Sequence, residues 1–165
     1  MTDKIWYEMV DIKYGEIYLT NYLGLQRTFK KTFTIMTLVL SVSGIFGWKF
    51  FEDYAWIAFG LIAVMQLFTL IENQIIRSDK EIEEISELKM AYTRYFNKLE
   101  KLWTEHKHRR IENNAASDRF FEYRNTDWEN IELLDAKLNI KKYKRIVNHT
   151  NIETNEYITK FHRYE

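Results

Sequence analysis

The chain lacks cysteine and proline altogether and holds only five glycines in 165 residues. Without cysteine there is no disulfide framework and no thiol chemistry, which fits a protein whose polar mass faces a reducing cytosol. Without proline, and with no glycine after Gly60, nothing forces a helix to break near Glu72. Net charge is absent too, with 24 Lys and Arg against 24 Asp and Glu. General nucleic-acid binders carry a basic excess, so no duplex DNA binding is expected. Catalytic signatures are missing: there is no Gly-rich phosphate loop, no G-x-S-x-G and no Cys nucleophile. The four histidines, His106, His108, His149 and His162, show neither H-x-x-x-H nor H-E-x-x-H spacing. Neither an enzyme nor a metal or cofactor site is expected. The first 30 residues carry acids and no continuous apolar core, so no cleavable signal peptide is expected. Asn148-His149-Thr150 matches a glycosylation triplet, which matters only if that segment is extracytoplasmic.

What the chain does have is two uncharged apolar runs, Thr32 to Trp48 and Tyr54 to Ile71, separated by Lys-Phe-Phe-Glu-Asp. A helix of either length spans roughly 26 Å, close to the roughly 30 Å hydrocarbon core of a bilayer. Lys31 and Lys49 can snorkel, and Phe50 and Phe51 extend the apolar surface. The expected fold is an all-α membrane protein. A transmembrane hairpin covers 32–71, with spans 32–50 and 54–71 and the loop 49–53 outside. It is flanked by an N-terminal cytosolic or interfacial segment, 1–31, and a cytosolic helical domain, 72–165. The alternative is a buried hairpin in a soluble bundle, but a soluble helix this long normally shows a charged face. Arg27, Lys30 and Lys31 precede the first run and Arg77 and Lys80 follow the second, so both termini are expected in the cytosol of a cell (inner) membrane.

The flanks read as helical. In 1–31, Ile5, Met9 and Ile12 share a face, while Gly15 and Gly24 weaken the pattern. Mixed charges favour packing on the cytosolic helices over lying in the membrane interface. Beyond the hairpin, Ile82, Ile85, Tyr92, Phe96, Leu99 and Trp103 recur at three and four residues, widened by Leu88, Tyr95 and Leu102. The second span and this helix read as one rod of roughly 75 Å, ending near Asn113-Asn114. Thr126-Asp127-Trp128-Glu129 has the form of a capping box that opens a helix through Ile131, Leu134, Leu138 and Ile146. Its acids come first and Lys141, Lys142, Lys144 and Arg145 last, in keeping with the helix dipole. A short helix with Tyr157 and Phe161 follows, and the pieces fold back as an antiparallel bundle. The rod carries more apolar stripe than one bundle needs, which favours oligomers.

Polarity inside the first run is concentrated on one stripe, Thr34, Thr37, Ser41, Gly44 and Trp48. Small and hydroxylated residues let membrane helices pack closely. They also suit the lining of a water-filled pore, with Trp48 and Phe51 as a hydrophobic constriction near the outside. One hairpin cannot enclose a pore, so that reading requires a homo-oligomer of four or more copies.

The layout resembles the bacterial SLATT family, two-transmembrane effectors associated with SMODS nucleotidyltransferase and SLOG systems. The resemblance rests on the N-terminal helix, Arg27-Thr28-Phe29-Lys30-Lys31 entering the small-residue span, the tight hairpin, the long helical extension, and Asn148-His149 followed by Glu156-Tyr157. It implies a pore-forming effector of anti-phage defence by abortive infection. A nucleotide-derived signal from a neighbouring nucleotidyltransferase would open the pore and depolarise the membrane. The densest cationic cluster, His106-Lys107-His108-Arg109-Arg110, is then the expected ligand-binding region. The alternative is a membrane anchor or scaffold whose helical module binds a protein partner; a toxin-type pore without a nucleotide signal is a third reading.

Overall fold

Apolar residues at three- and four-residue spacing bury one face of each helix, and the order in which those faces meet sets the topology. The computed structural model describes residues 1–50, 56, 60, 62–67, 69–70 and 76–162, with residues 40 and 42–50 described by backbone alone. Helices α1 (Thr2–Phe50), α2 (Asp79–Lys107), α3 (Asn113–Tyr123), α4 (Glu129–Leu138) and α5 (Lys144–Phe161) are joined in part by a π-helical turn, Arg124–Trp128. No strand occurs among the described residues, and the protein is all-α. It divides into one unit of residues 1–23 and 83–165 and another of residues 24–82.

The first unit is a bundle. Ile5, Met9 and Ile12 of α1 and Ile85, Leu88 and Leu99 of α2 are fully buried. Each is worth about 1.5–3 kcal/mol relative to exposure. The pairings run in opposite directions along the two helices. Thr2 Oγ1 lies 2.9 Å from His106 Nδ1, the Trp6 and Trp103 rings are 5.2 Å apart, and the Tyr95 hydroxyl donates to Glu8 at 3.1 Å. The composite of α3, the π turn and α4 runs back along α2. Arg119 bonds Glu105 at 3.1 Å, Lys98 bonds Asp127 at 2.7 Å and Lys137 bonds Glu84 at 2.9 Å. Helix α5 then descends along α1: Asn21 donates to Glu153 at 2.6 Å, and Lys13 lies 4.0 Å from the Tyr157 ring centre. The result is an up-down-up-down four-helix bundle whose third member is assembled from three pieces. The N-terminal segment packs on the later helices, in keeping with its mixed charges.

In the second unit, Ile35, Met36, Leu38, Val39, Ile62, Leu67 and Leu70 are exposed. The hydroxyls of Thr34, Ser41 and Thr69 donate to carbonyls four residues back at 2.8–3.0 Å. Lys30 pairs with Asp79, and buried Gln26 accepts the Arg77 N–H at 3.1 Å. No helix among the described residues is long and apolar enough to cross a membrane. Eight of the 18 residues of the expected second span, with Phe51 and the rest of the loop to Asp53, lie outside the described residues.

Several local expectations are corrected. Helix α1 passes unbroken through Gly15 and Gly24, because a glycine costs only about 1 kcal/mol within a helix. The rod is interrupted at residues 76–78. Ser78 and Glu81 form a capping box there, with Glu81 accepting the Ser78 N–H at 2.9 Å and Ser78 Oγ facing the Glu81 N–H at 3.3 Å. Helix α2 stops at Lys107, and Asn113 opens α3 rather than ending the rod. The Thr126 hydroxyl donates back to the Glu122 carbonyl, so the pattern at Thr126 forms no capping box. Left-handed Asn139 (φ 41°) ends α4. Lys141 and Lys142 therefore sit in a linker, and Lys144 and Arg145 fall in the first turn of α5, at the opposite pole of the dipole from the expected one. Most of the α2 stripe, from Ile85 to Trp103, is buried within the bundle.

A Cβ on Gly15 would lie 2.3 Å from the Tyr92 ring, whereas one on Gly24 would meet nothing within 4 Å. Gly15→Leu should therefore lower stability by about 1–3 kcal/mol through overpacking. Gly24→Ala should raise it by up to about 1 kcal/mol. Thermal unfolding followed by circular dichroism checks both; a harmless Gly15→Leu would show that the Tyr92 contact is dispensable.

Candidate functional site

Helix α2 ends in a tight reversal that gathers cations. The Arg110 N–H donates to the Glu105 carbonyl at 2.8 Å, and Arg109 takes a left-handed backbone (φ 56°) to close the turn. The end of α5 comes alongside. Between them lies an open cleft of about 620 Å³, lined by Lys101, Trp103, Lys107, His108, Arg110, Phe161 and His162, with Glu100, Glu105, Asn97 and Thr104.

One wall of the cleft is aromatic. The Trp103 and His162 rings meet edge-on at 5.5 Å, with Trp6 5.7 Å and Tyr157 5.9 Å from His162. Lys107 Nζ lies 4.8 Å from the Trp103 ring centre, a cation–π contact. The Trp103 indole N–H is buried and finds no acceptor among the described residues. His162 is also buried, and burial holds its pKa below the usual histidine value. The Glu100 carboxylate 3.1 Å away opposes that shift, and Lys107 and Lys13 reinforce it.

The acids of the cleft are engaged with other groups. Glu105 takes Arg119 at 3.1 Å and Lys101 at 3.9 Å, while Glu100 faces His162. Lys107 and Arg110 are left to face an incoming anion. Exposed Phe161 offers a ring on which a planar group can stack. The arrangement suits a phosphate joined to an aromatic base.

The expected cluster is split by this geometry. Lys107, His108 and Arg110 line the cleft. His106 is spent on structure, with Nδ1 at Thr2 and Nε2 3.3 Å from Asn113 Oδ1. Arg109 is exposed but is not among the lining residues. Trp103 and Lys101 were legible as α2 residues about two turns before this turn. Phe161 and His162 were not, because 50 or more residues separate them from it. Of the stripe residues, Thr34 and Ser41 are exposed and Thr37 is half-buried. The side chains of Gly44 and Trp48, and all of Phe51, lie outside the described residues.

Against known proteins, no family model, curated protein or solved structure matches the chain.

His162 gives the cleft a pH signature. An unfolded histidine titrates near 6.5, and the folded one below it. Between those values only the unfolded chain binds the proton, so this contribution is full above about pH 6.5 and is lost as pH falls through the folded value. Urea midpoints at several pH values should therefore drop more steeply on acidification in the wild type than in His162→Gln. Parallel curves would show that His162 folds without a lowered pKa.

Proposed function

We propose that the protein is a membrane effector in which a helical bundle binds a nucleotide-derived anion and a hairpin, assembled from several copies, opens a pore that depolarises the membrane. The observation that carries the membrane part is segregation of apolar surface. The buried apolar core, from Ile5 to Ile146, lies in the first unit, where Tyr7, Phe121, Leu133, Ile152 and Phe161 are nonetheless exposed, while Ile35, Met36, Leu38, Val39, Ile62, Val64, Leu67 and Leu70 are exposed in the second unit. Exposed apolar surface of this kind marks an interaction site, and lipid is the partner suited to two uncharged runs close in sequence. The span itself is inferred from those runs in the sequence. The hydroxyls of Thr34 and Ser41 are satisfied by their own helix, as apolar surroundings require.

The signal-binding part rests on the cleft at the end of α2. Its exposed cations sit beside aromatic rings, the combination by which phosphates and bases are held together. The SLATT-like layout supplies the biological setting: abortive infection in bacteria, with the ligand made by a neighbouring nucleotidyltransferase. The anchor reading is favoured by those same self-satisfied hydroxyls, which need no water-filled lumen.

The test is membrane potential on induction, read with a voltage-sensitive dye, with and without the genomic neighbour. Depolarisation is expected only with an active neighbour, and should be lost in Lys107→Glu/Arg110→Glu at unchanged membrane level. Ser41→Leu should abolish it by filling the stripe. If function survives replacement of the whole hairpin by an unrelated one, the anchor reading stands instead.

A further inference from the structure

A second cleft, of about 200 Å³, lies on the flank of the bundle and differs in chemistry from the first. Its lining residues include Tyr14, Tyr18, Tyr92 and Trp128, with Asp11 and Asp135.

Three features of the fold build it. Gly15 lacks the Cβ that would collide with Tyr92, so that ring lies directly against α1. The Tyr18 hydroxyl donates to the Lys141 carbonyl at 2.8 Å and accepts the Tyr143 N–H at 3.1 Å. Those two bonds hold the linker between α4 and α5, and with it Ile140 and Lys142, at the cleft. The π turn ends on Trp128 and is tied down through Asp127 by Lys98. A π turn is a costly insertion in a helix and recurs where a side chain must be re-aimed.

The cleft is partly open to solvent. Asp11 and Asp135 are exposed and form no ion pair among the described residues, although Lys142 lines the same cleft. Tyr92 carries a pKa pushed up to about 12, by burial first and by the charge of Asp135 second, which places that carboxylate near the ring. Aromatic faces backed by carboxylates attract soft, weakly hydrated cations. A magnesium or calcium ion instead needs a shell of oxygen ligands, which these rings do not offer.

We propose that this cleft binds a small organic cation, a quaternary or alkylated ammonium group, on the faces of Tyr14, Tyr92 and Trp128, with Asp11 and Asp135 as its counter-charge. The proposal does not depend on the membrane or nucleotide reading.

The test uses the full chain in a maltoside detergent and isothermal titration with choline, tetramethylammonium and 3,3-dimethyl-1-butanol, the uncharged isostere of choline. Choline should bind at least about tenfold more tightly than the isostere. Asp135→Asn and Asp11→Asn should each weaken it severalfold, and Lys142→Ala should strengthen it. Trp128→Leu should remove binding; because that change could also unfold the π turn, the three rim variants decide between the outcomes. Equal affinity for choline and the isostere would reduce the site to an apolar crevice and overturn the proposal. So would no binding of either cation up to about 10 mM, or rim variants that bind as the wild type does.

Discussion

The antiparallel register of α1 on α2 governs the arrangement of every other helix in the bundle. It is held at one end by Trp6 on Trp103 and near the middle by Gly15 on Tyr92. Ile5, Met9 and Ile12 of α1 and Ile85, Leu88 and Leu99 of α2 are all buried. A shift of one turn would drive the Tyr92 ring against a side-chain-bearing residue and strand Glu8 from the Tyr95 hydroxyl. The α3–π–α4 composite then runs along α2 and α5 along α1. Ion pairs such as Lys98–Asp127 and Lys137–Glu84 then select their direction more than they add stability.

Both clefts form where a helix is interrupted. The first follows from the reversal at Arg109, which ends α2 and sets Arg110 beside the end of α5. The second follows from the π turn before α4 and the left-handed Asn139 after it. Helix interiors here are committed to packing, while their ends free side chains and backbone groups for a ligand. The two sites also carry opposite charge: cations with Trp103 and Phe161 in one, carboxylates with Tyr92 and Trp128 in the other.

Much of this was legible along the chain. The α2 stripe could be read residue by residue, because three- and four-residue spacing survives whatever the helix packs against. The packing of the N-terminal segment was legible from its mixed charges. The breaks were less so. Ser78-Asp79-Lys80-Glu81 spells a capping box, yet the lack of proline or glycine nearby points instead to an unbroken rod. Thr126-Asp127-Trp128-Glu129 has the same spelling and forms no cap, because helical residues already precede it and Thr126 bonds backward to Glu122. A capping pattern is decided by the backbone before it, which the four letters do not carry.

Composition and periodicity alone establish the all-α class, the apolar faces of α1 and α2, the two uncharged runs and the cationic end of α2. Those signals act over a few turns and hold in any packing. It takes the assembled bundle to draw His106 out of the cationic cluster, where it bridges Thr2 and Asn113, and to bring His162 in. The same assembly gathers four rings from distant segments around a space beside the carboxylates of Asp11 and Asp135. Those outcomes depend on which helix lies against which and in what register. That choice is made by the summed burial of faces far apart in the chain, and no local pattern records it.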